Sequence, residues 1–376
     1  MKEELRRRLA ADLGIPSARH ALDPEPRGSF AFDGIRVEKW IYSAEPGSRV
    51  PAVLYLPPTA DGPLPGIALT CGHGESKSQW YISYIAQLYA RLGWGCLTLD
   101  PIGEEERHRD GGMGTRAHDP APVIEAAEAA GRPIMGKLVF DTMRGLDFLA
   151  GHGGIDPTRL AVAGNSLGGA KAGWLLALET RLKATLVSGW AFGDAMLAWG
   201  KLCTTRPNAM LRRRCDWGEF LSLAAPHNAV LVLNGDRDVI IDRDDDGTAW
   251  RQTEEALERA RRLAKERGED WAPASHYHPG GGHRPYYAYP PALAWLRRRL
   301  GGTAGLPAAR IGAAEWCANH GIEIEPLYAT QLHCGGAFLP DMGIRALRRE
   351  ELSCLRPGEE GDPAYTLEGW LAAIKR

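Results

Sequence analysis

The chain has 376 residues and a net charge of −2, with 44% hydrophobic and 24% charged residues. At 41.0 kDa it can bury roughly three quarters of its extended surface, so extended disorder, collagen and coiled coil are excluded. No overall basic field exists to hold phosphates, so nucleic acid is not expected as a partner. No run of 18 apolar residues is present to cross a membrane.

The N-terminus, Met1-Lys2-Glu3-Glu4-Leu5-Arg6-Arg7-Arg8, shows no apolar leader segment, which gives a soluble cytoplasmic protein as the expectation. The seven cysteines, 71, 96, 203, 215, 317, 334 and 354, form no Cys-x-x-Cys pair. They read as reduced thiols filling the core. Arg212-Arg213-Arg214 reads as a solvated or locally paired cluster.

In chain order, residues 2–12 predict a charged amphipathic helix, and 29–42 a hairpin turning at Asp33-Gly34. Strands are predicted at 50–56, 66–70, 96–99, 160–163, 184–188, 230–233 and 271–277. Helices are predicted at 82–92, 140–149, 168–178, 248–266 and 292–300, with a turn at Asp156-Pro157. Short apolar strands alternating with helices predict a mostly parallel sheet covered on both faces, with an antiparallel start. Residues 189–227 break the rhythm and read as a lid. The organisation expected is an arm over 1–28, a catalytic body over 29–300 and a mainly helical extension over 301–376.

The strongest signal is Gly164-Asn165-Ser166-Leu167-Gly168-Gly169, between a buried strand and an Ala/Leu-rich helix. A serine on such a sharp strand-to-helix turn projects its hydroxyl from the carboxyl end of the sheet, and the helix N-terminus favours negative charge there. Serine needs a base. On this architecture the partners follow in the order Asp, then His, from later strand ends. Asp236 and Asp238 compete after the strand at 230–233, and Asp238 is better placed to turn back. His283, after three glycines, is free to reach across the strand tips, whereas His276 and His278 read as packed strand residues. Ser166, Asp238 and His283 are therefore the candidate catalytic residues. Oxyanion donors are expected from the N–H of Leu167 and of His73, with Gly74 second. Cys71 reads as a buried thiol, and no residue set is assigned to a metal or cofactor.

Three segments together resemble the acetyl xylan esterase / cephalosporin C deacetylase group of α/β-hydrolases. They are Cys71-Gly72-His73-Gly74, Asp156-Pro157-Thr158-Arg159 leading into the serine motif, and Ala225-Pro226-His227 followed by Asn234-Gly235-Asp236-Arg237-Asp238. The resemblance spans about residues 30–300. It implies an α/β-hydrolase fold, the same triad, and cleavage of acetyl and other short acyl esters without a metal; the helical lid insertion and the C-terminal extension are read from the chain itself. The implied substrate is a small-molecule or carbohydrate ester, and a homo-oligomer is compatible with the chain.

Trp190 and Trp217, with Trp199, lie in the lid segment, where aromatics can line a substrate pocket or simply pack; Trp190 and Trp217 are taken as candidate substrate contacts. Asp242–Gly247 starts like a calcium loop but lacks the closing Glu and reads as helix-capping acids. Glu104–Glu106 reads as a solvated face. The alternative functions are a prolyl oligopeptidase-like peptidase, for which the N-terminal segment is too short to hold a propeller, and a catalytically silent binding protein on the same scaffold.

Overall fold

The computed structural model of the chain describes residues 1–198, 201–302, 305–324 and 338–375. Trp199 and Cys334 lie outside them.

Nine strands form one sheet: β1 (Glu25–Phe32), β2 (Ile35–Glu45), β3 (Ser48–Leu56), β4 (Leu64–Thr70), β5 (Gly95–Leu99), β6 (Ile155–Asn165), β7 (Leu182–Ser188), β8 (Ala229–Gly235) and β9 (Ala274–His278). Their spatial order is β1-β2-β3-β5-β4-β6-β7-β8-β9. The pairs from β1 to β5 are antiparallel, and the ladder from β5 through β4, β6, β7 and β8 to β9 is parallel. The parallel strands are almost continuously buried and rich in Val, Leu and Ala because both faces are covered.

The main covering helices are α1 (Lys2–Asp12), α2 (Trp80–Arg91), α3 (Ala121–Ala129), α4 (Ile134–Gly151), α5 (Leu167–Leu178), α6 (Leu202–Arg212), α7 (Trp217–Leu221), α8 (Thr248–Glu266) and α9 (Pro290–Leu300). Two apolar clusters result. One holds residues of α4, α5, α7 and α8, and the other holds residues of α2, α9 and the C-terminal segment. This is the expected mixed, mostly parallel sheet with helices on both faces.

Several details differ from the sequence reading. β6 runs through Asp156-Pro157 instead of starting after a turn there. β9 is displaced to 274–278, so His276 and His278 are strand residues. Helix α3 was not anticipated, because its Ala-rich stretch lacks a clear apolar stripe. The described part of 301–376 has two short α-helices, Ala313–Asn319 and Leu367–Ala373, a 3-10 turn at Arg349–Leu352, and a two-stranded ladder of 310–312 with 338–340.

That segment packs onto the body. Arg49 N donates to Ala364 O at 2.7 Å, Gln87 Nε2 to Arg345 O at 3.0 Å, and Trp370 Nε1 to Glu45 Oε1 at 2.9 Å.

The acids Glu104 and Glu105 are buried, which corrects the solvated-face reading. Glu104 receives the backbone N–H groups of Thr115 and Arg116 at 3.1 and 2.6 Å. Lys77 Nζ lies 2.7 Å from Asp100 and 2.8 Å from Glu106. The Arg run behaves as expected: Arg212 pairs with Asp194 at 2.6 Å and Arg214 with Asp12 at 2.7 Å.

Glu45 joins a second buried network, 2.7 Å from both Lys137 and Arg132. Burial acts to raise its carboxyl pKa, but the two cations outweigh it and hold it at about 2. The unfolded carboxyl titrates at about 4.3. Its stabilisation is therefore complete above about pH 4.5 and is lost as pH falls towards 2, amounting to about 3 kcal/mol. Denaturant melts of Glu45→Gln and wild type at pH 7 and pH 3 check this: the gap between them should narrow at the lower pH.

Candidate active site

Because β4, β6, β7, β8 and β9 are parallel, their carboxyl ends share one edge, and every sequence-predicted catalytic group stands at that edge. Ser166 sits between β6 and α5 at φ 60°, ψ −124°, a strained position for a residue bearing a Cβ. Its N–H donates to Ser188 O at 3.1 Å and its carbonyl accepts from Ala170 N at 2.9 Å. The flanking glycines are required by close approach. A Cβ on Gly164 would strike Thr70 Oγ1 and Gly168 O, and one on Gly168 would strike Thr70 O. Thr70 Oγ1 also lies 2.8 Å from Gly168 O and 3.1 Å from Ala163 O, so the end of β4 is fastened to the turn that carries the serine.

Asp238 is fully buried, and its Oδ2 lies 2.8 Å from His283 Nδ1. Its other oxygen accepts the N–H groups of Ile240 and Ile241 at 3.1 and 3.3 Å, which fixes the carboxylate towards the ring. Asp236 is exposed, so the geometry separates the two competing acids. The loops carrying Asp238 and His283 are joined: Asp236 N donates to His278 O at 3.2 Å and Arg237 N to Gly281 O at 2.9 Å. Ser188 Oγ donates to Arg284 O at 2.7 Å and accepts from Tyr286 N at 3.0 Å.

Gly189, which follows β7, is the wedge between these groups. A Cβ built on it lies 2.8 Å from His283 Cε1, 3.1 Å from Ser166 N and 2.5 Å from Asn165 Oδ1, and its φ is +56°. A side chain at this position would thus meet both the imidazole and the serine backbone. Gly189→Ala should separate them and lower kcat/KM by at least about 100-fold, the scale of a 1 Å misplacement. Kinetics on an aryl acetate, with circular dichroism to verify the fold, check this.

Leu167 opens α5, where the first N–H groups have no acceptor within the helix. His73 lies three residues beyond Thr70. Its Nε2 is 3.0 Å from Cys203 Sγ and 3.2 Å from Asp119 Oδ1. Burial pushes the Cys71 thiol well above its ordinary pKa, in keeping with an inert core thiol.

Of the two tryptophans, Trp190 follows Gly189 directly. Asn234 grips its backbone through Trp190 N to Asn234 Oδ1 at 3.1 Å and Asn234 Nδ2 to Trp190 O at 3.0 Å. Trp217 is buried on α7 against Phe192 and Phe220, with Nε1 donating to Asp194 at 2.9 Å. Trp190 is buried as well, at 2% exposure against 7% for Trp217. The acids after β8 cap α8: Asp242 accepts Gly247 N at 2.6 Å and Ala249 N at 3.0 Å.

The sequence reading missed a polar cluster beside the edge, formed by His73, His118, Asp119 and Cys203. Burial pushes the His118 pKa down to about 4. Burial acts to raise that of Asp119, but hydrogen bonding and charge from His73 and His118 hold it at about 2. Only the adjacent pair His118-Asp119 could have drawn attention in the sequence. It also missed Lys171, buried one turn along α5 from Ser166, whose pKa burial lowers.

A strained serine between a parallel strand and a helix, with a His–Asp pair from later strand ends, defines an α/β-hydrolase. Residues 19–192 match the acetyl xylan esterase (AXE1) family. That span carries His73 and Ser166 and stops before Asp238 and His283.

YtaP of Bacillus subtilis (strain 168), named as a hydrolase, is 25% identical over 195 residues, 49% of this chain and 62% of YtaP. The chain thus spans less than two thirds of that relative's length. Among solved structures, acetyl xylan esterase from Paenibacillus sp. R4 superposes with a TM-score of 0.55 at 15% identity, covering 80% of this chain and 94% of that one. Glucuronoyl esterase from Solibacter usitatus gives 0.54 at 15%, covering 79% and 92%. The chain has an α/β-hydrolase fold and is similar to the acetyl xylan esterases over residues 19–192. Among the described residues, no helix is long and apolar enough to cross a membrane.

Proposed function

We propose that the protein is a serine carboxylester hydrolase acting on short, acetyl-type acyl esters, carbohydrate esters among them. The observation that carries this reading is the buried Asp238–His283 pair at 2.8 Å, held beside the strained Ser166 by Gly189.

In the proposed mechanism His283 takes the Ser166 proton as the hydroxyl oxygen attacks the ester carbonyl. Asp238 fixes the tautomer with Nδ1–H towards itself and stabilises the imidazolium that forms. The N–H groups of Leu167 and His73 receive the oxyanion. His283 then protonates the departing alcohol, and water, activated by the same ring, releases the acid and restores the serine. Trp190, beside Gly189, is proposed as a wall of the substrate pocket.

The relatives' names supply two ester classes for comparison, acetyl xylan and glucuronoyl esters. A fluorophosphonate probe should modify Ser166, located by peptide mapping. In a panel of aryl esters of increasing chain length, with sugar acetates and a methyl glucuronate, acetyl esters should be turned over fastest. No Ser166 adduct would favour a silent binding protein. Faster turnover of the methyl glucuronate would move the substrate class to uronate esters.

A further inference from the structure

We propose that His73, His118, Asp119 and Cys203 form a binding site for one divalent transition-metal ion of the zinc type, beside the proposed ester-cleaving site, with which it shares only His73, through its backbone N–H there and its ring here. The ligands come from three places: the loop after β4 (His73), the long connection after β5 (His118 and Asp119), and the first turn of α6 in the lid (Cys203).

The distances support an ion. His73 Nε2, Asp119 Oδ1 and Cys203 Sγ form a triangle with edges of 3.2, 3.4 and 3.0 Å. Such a triangle has a point about 2 Å from each corner, the length of a zinc–nitrogen or zinc–oxygen bond and slightly under that of zinc–sulfur. The ligand atoms of His73, His118 and Asp119 all lie within 4.8 Å of one another; Cys203 Sγ is not part of that close group and joins it through His73 and Asp119.

Hydrogen bonding supplies an independent argument. His118 is fully buried, and its Nδ1 lies 3.2 Å from Ile102 O. Its Nε2 makes no hydrogen bond among the described residues and stands 3.4 Å from Asp119 Oδ1. A neutral imidazole carries one N–H. If Nδ1 donates to the carbonyl, the Nε2 lone pair faces a carboxylate. If Nε2 carries the proton, the Nδ1 lone pair faces the carbonyl. Either way two buried acceptors meet, and a cation between Nε2 and the carboxylate removes the conflict. A ring nitrogen held by a backbone carbonyl is the usual support of a metal-bound histidine.

The contacts also argue against a Cys–His–Asp nucleophile. Such a triad puts the thiol and the carboxylate on opposite ring nitrogens, whereas here both approach His73 Nε2. On binding, the Cys203 thiol loses its proton to solvent as the metal–sulfur bond forms. With the Asp119 carboxylate this neutralises the divalent charge, which leaves the cluster neutral near the buried Lys171.

The test uses the tag-free 376-residue chain, stripped with a chelator and titrated with Co(II), with zinc content of the purified protein measured by elemental analysis. The expected result is one equivalent bound, an intense near-ultraviolet sulfur-to-cobalt band, the visible bands of four-coordinate Co(II), and displacement by one equivalent of Zn(II). Cys203→Ser should lose the near-ultraviolet band, and His118→Gln should weaken Co(II) binding at least tenfold. Both variants should still react with the fluorophosphonate at Ser166, which shows that they fold. Absence of stoichiometric uptake, binding without the sulfur band, or unchanged binding in His118→Gln would each overturn the proposal. None of these readouts depends on ester turnover.

Discussion

Ser166→Ala is expected to lower kcat for an aryl acetate by about 10⁶-fold, the loss seen when a serine nucleophile is removed from a working triad. The fold should persist. Alanine fills less space than serine, and the contacts that hold the turn, Ser166 N to Ser188 O and Ala170 N to Ser166 O, are backbone contacts. The strain at φ 60° is also unchanged, since alanine carries the same Cβ. A thermal melt within a few degrees of wild type, together with turnover reduced to background, is the predicted pair of results. Substantial residual turnover would remove Ser166 from the mechanism, whatever the neighbouring geometry.

Asp238→Asn is the second large effect, about 10⁴-fold in kcat. The substitution replaces a carboxylate that only accepts with an amide that can donate to Nδ1. The His283 tautomer would then reverse and Nε2 would carry a proton instead of accepting one from serine. The size matches the loss expected when the ring is held in the wrong tautomer with its geometry intact. Asp236→Asn is the control. That side chain is exposed, so activity should stay within about twofold of wild type. Kinetics of the two variants side by side distinguish an acid that orients the histidine from one that only decorates a turn.

The fold was legible where periodicity is strong. The strands from β3 to β8 and the helices α5, α8 and α9 carry apolar patterns that only a covered parallel sheet accommodates, and Gly164-x-Ser166-x-Gly168 marks a turn that tolerates no Cβ on either side. Topology narrows the proposed partners of Ser166 to the loops after β8 and β9, and burial and hydrogen bonding then favour Asp238 over Asp236.

What the sequence did not yield is equally physical. The burial of Glu104 and Glu105 depends on Lys77 and on backbone N–H groups that lie apart from them in the chain, so a run of acids looked solvated. The His73/His118/Asp119/Cys203 cluster joins residues as many as 130 positions apart, and no spacing rule reaches that far.

The contacts of the C-terminal segment bear on synthesis. Glu45 and Arg49 leave the ribosome well before the groups that meet them, Trp370 and the carbonyl of Ala364, which emerge some 300 residues later. The antiparallel corner of the sheet must wait, incompletely covered, until those roughly 300 further residues have been made. A premature stop shortly before Ala364 would therefore leave all the proposed catalytic residues encoded but give a product prone to aggregation and degradation.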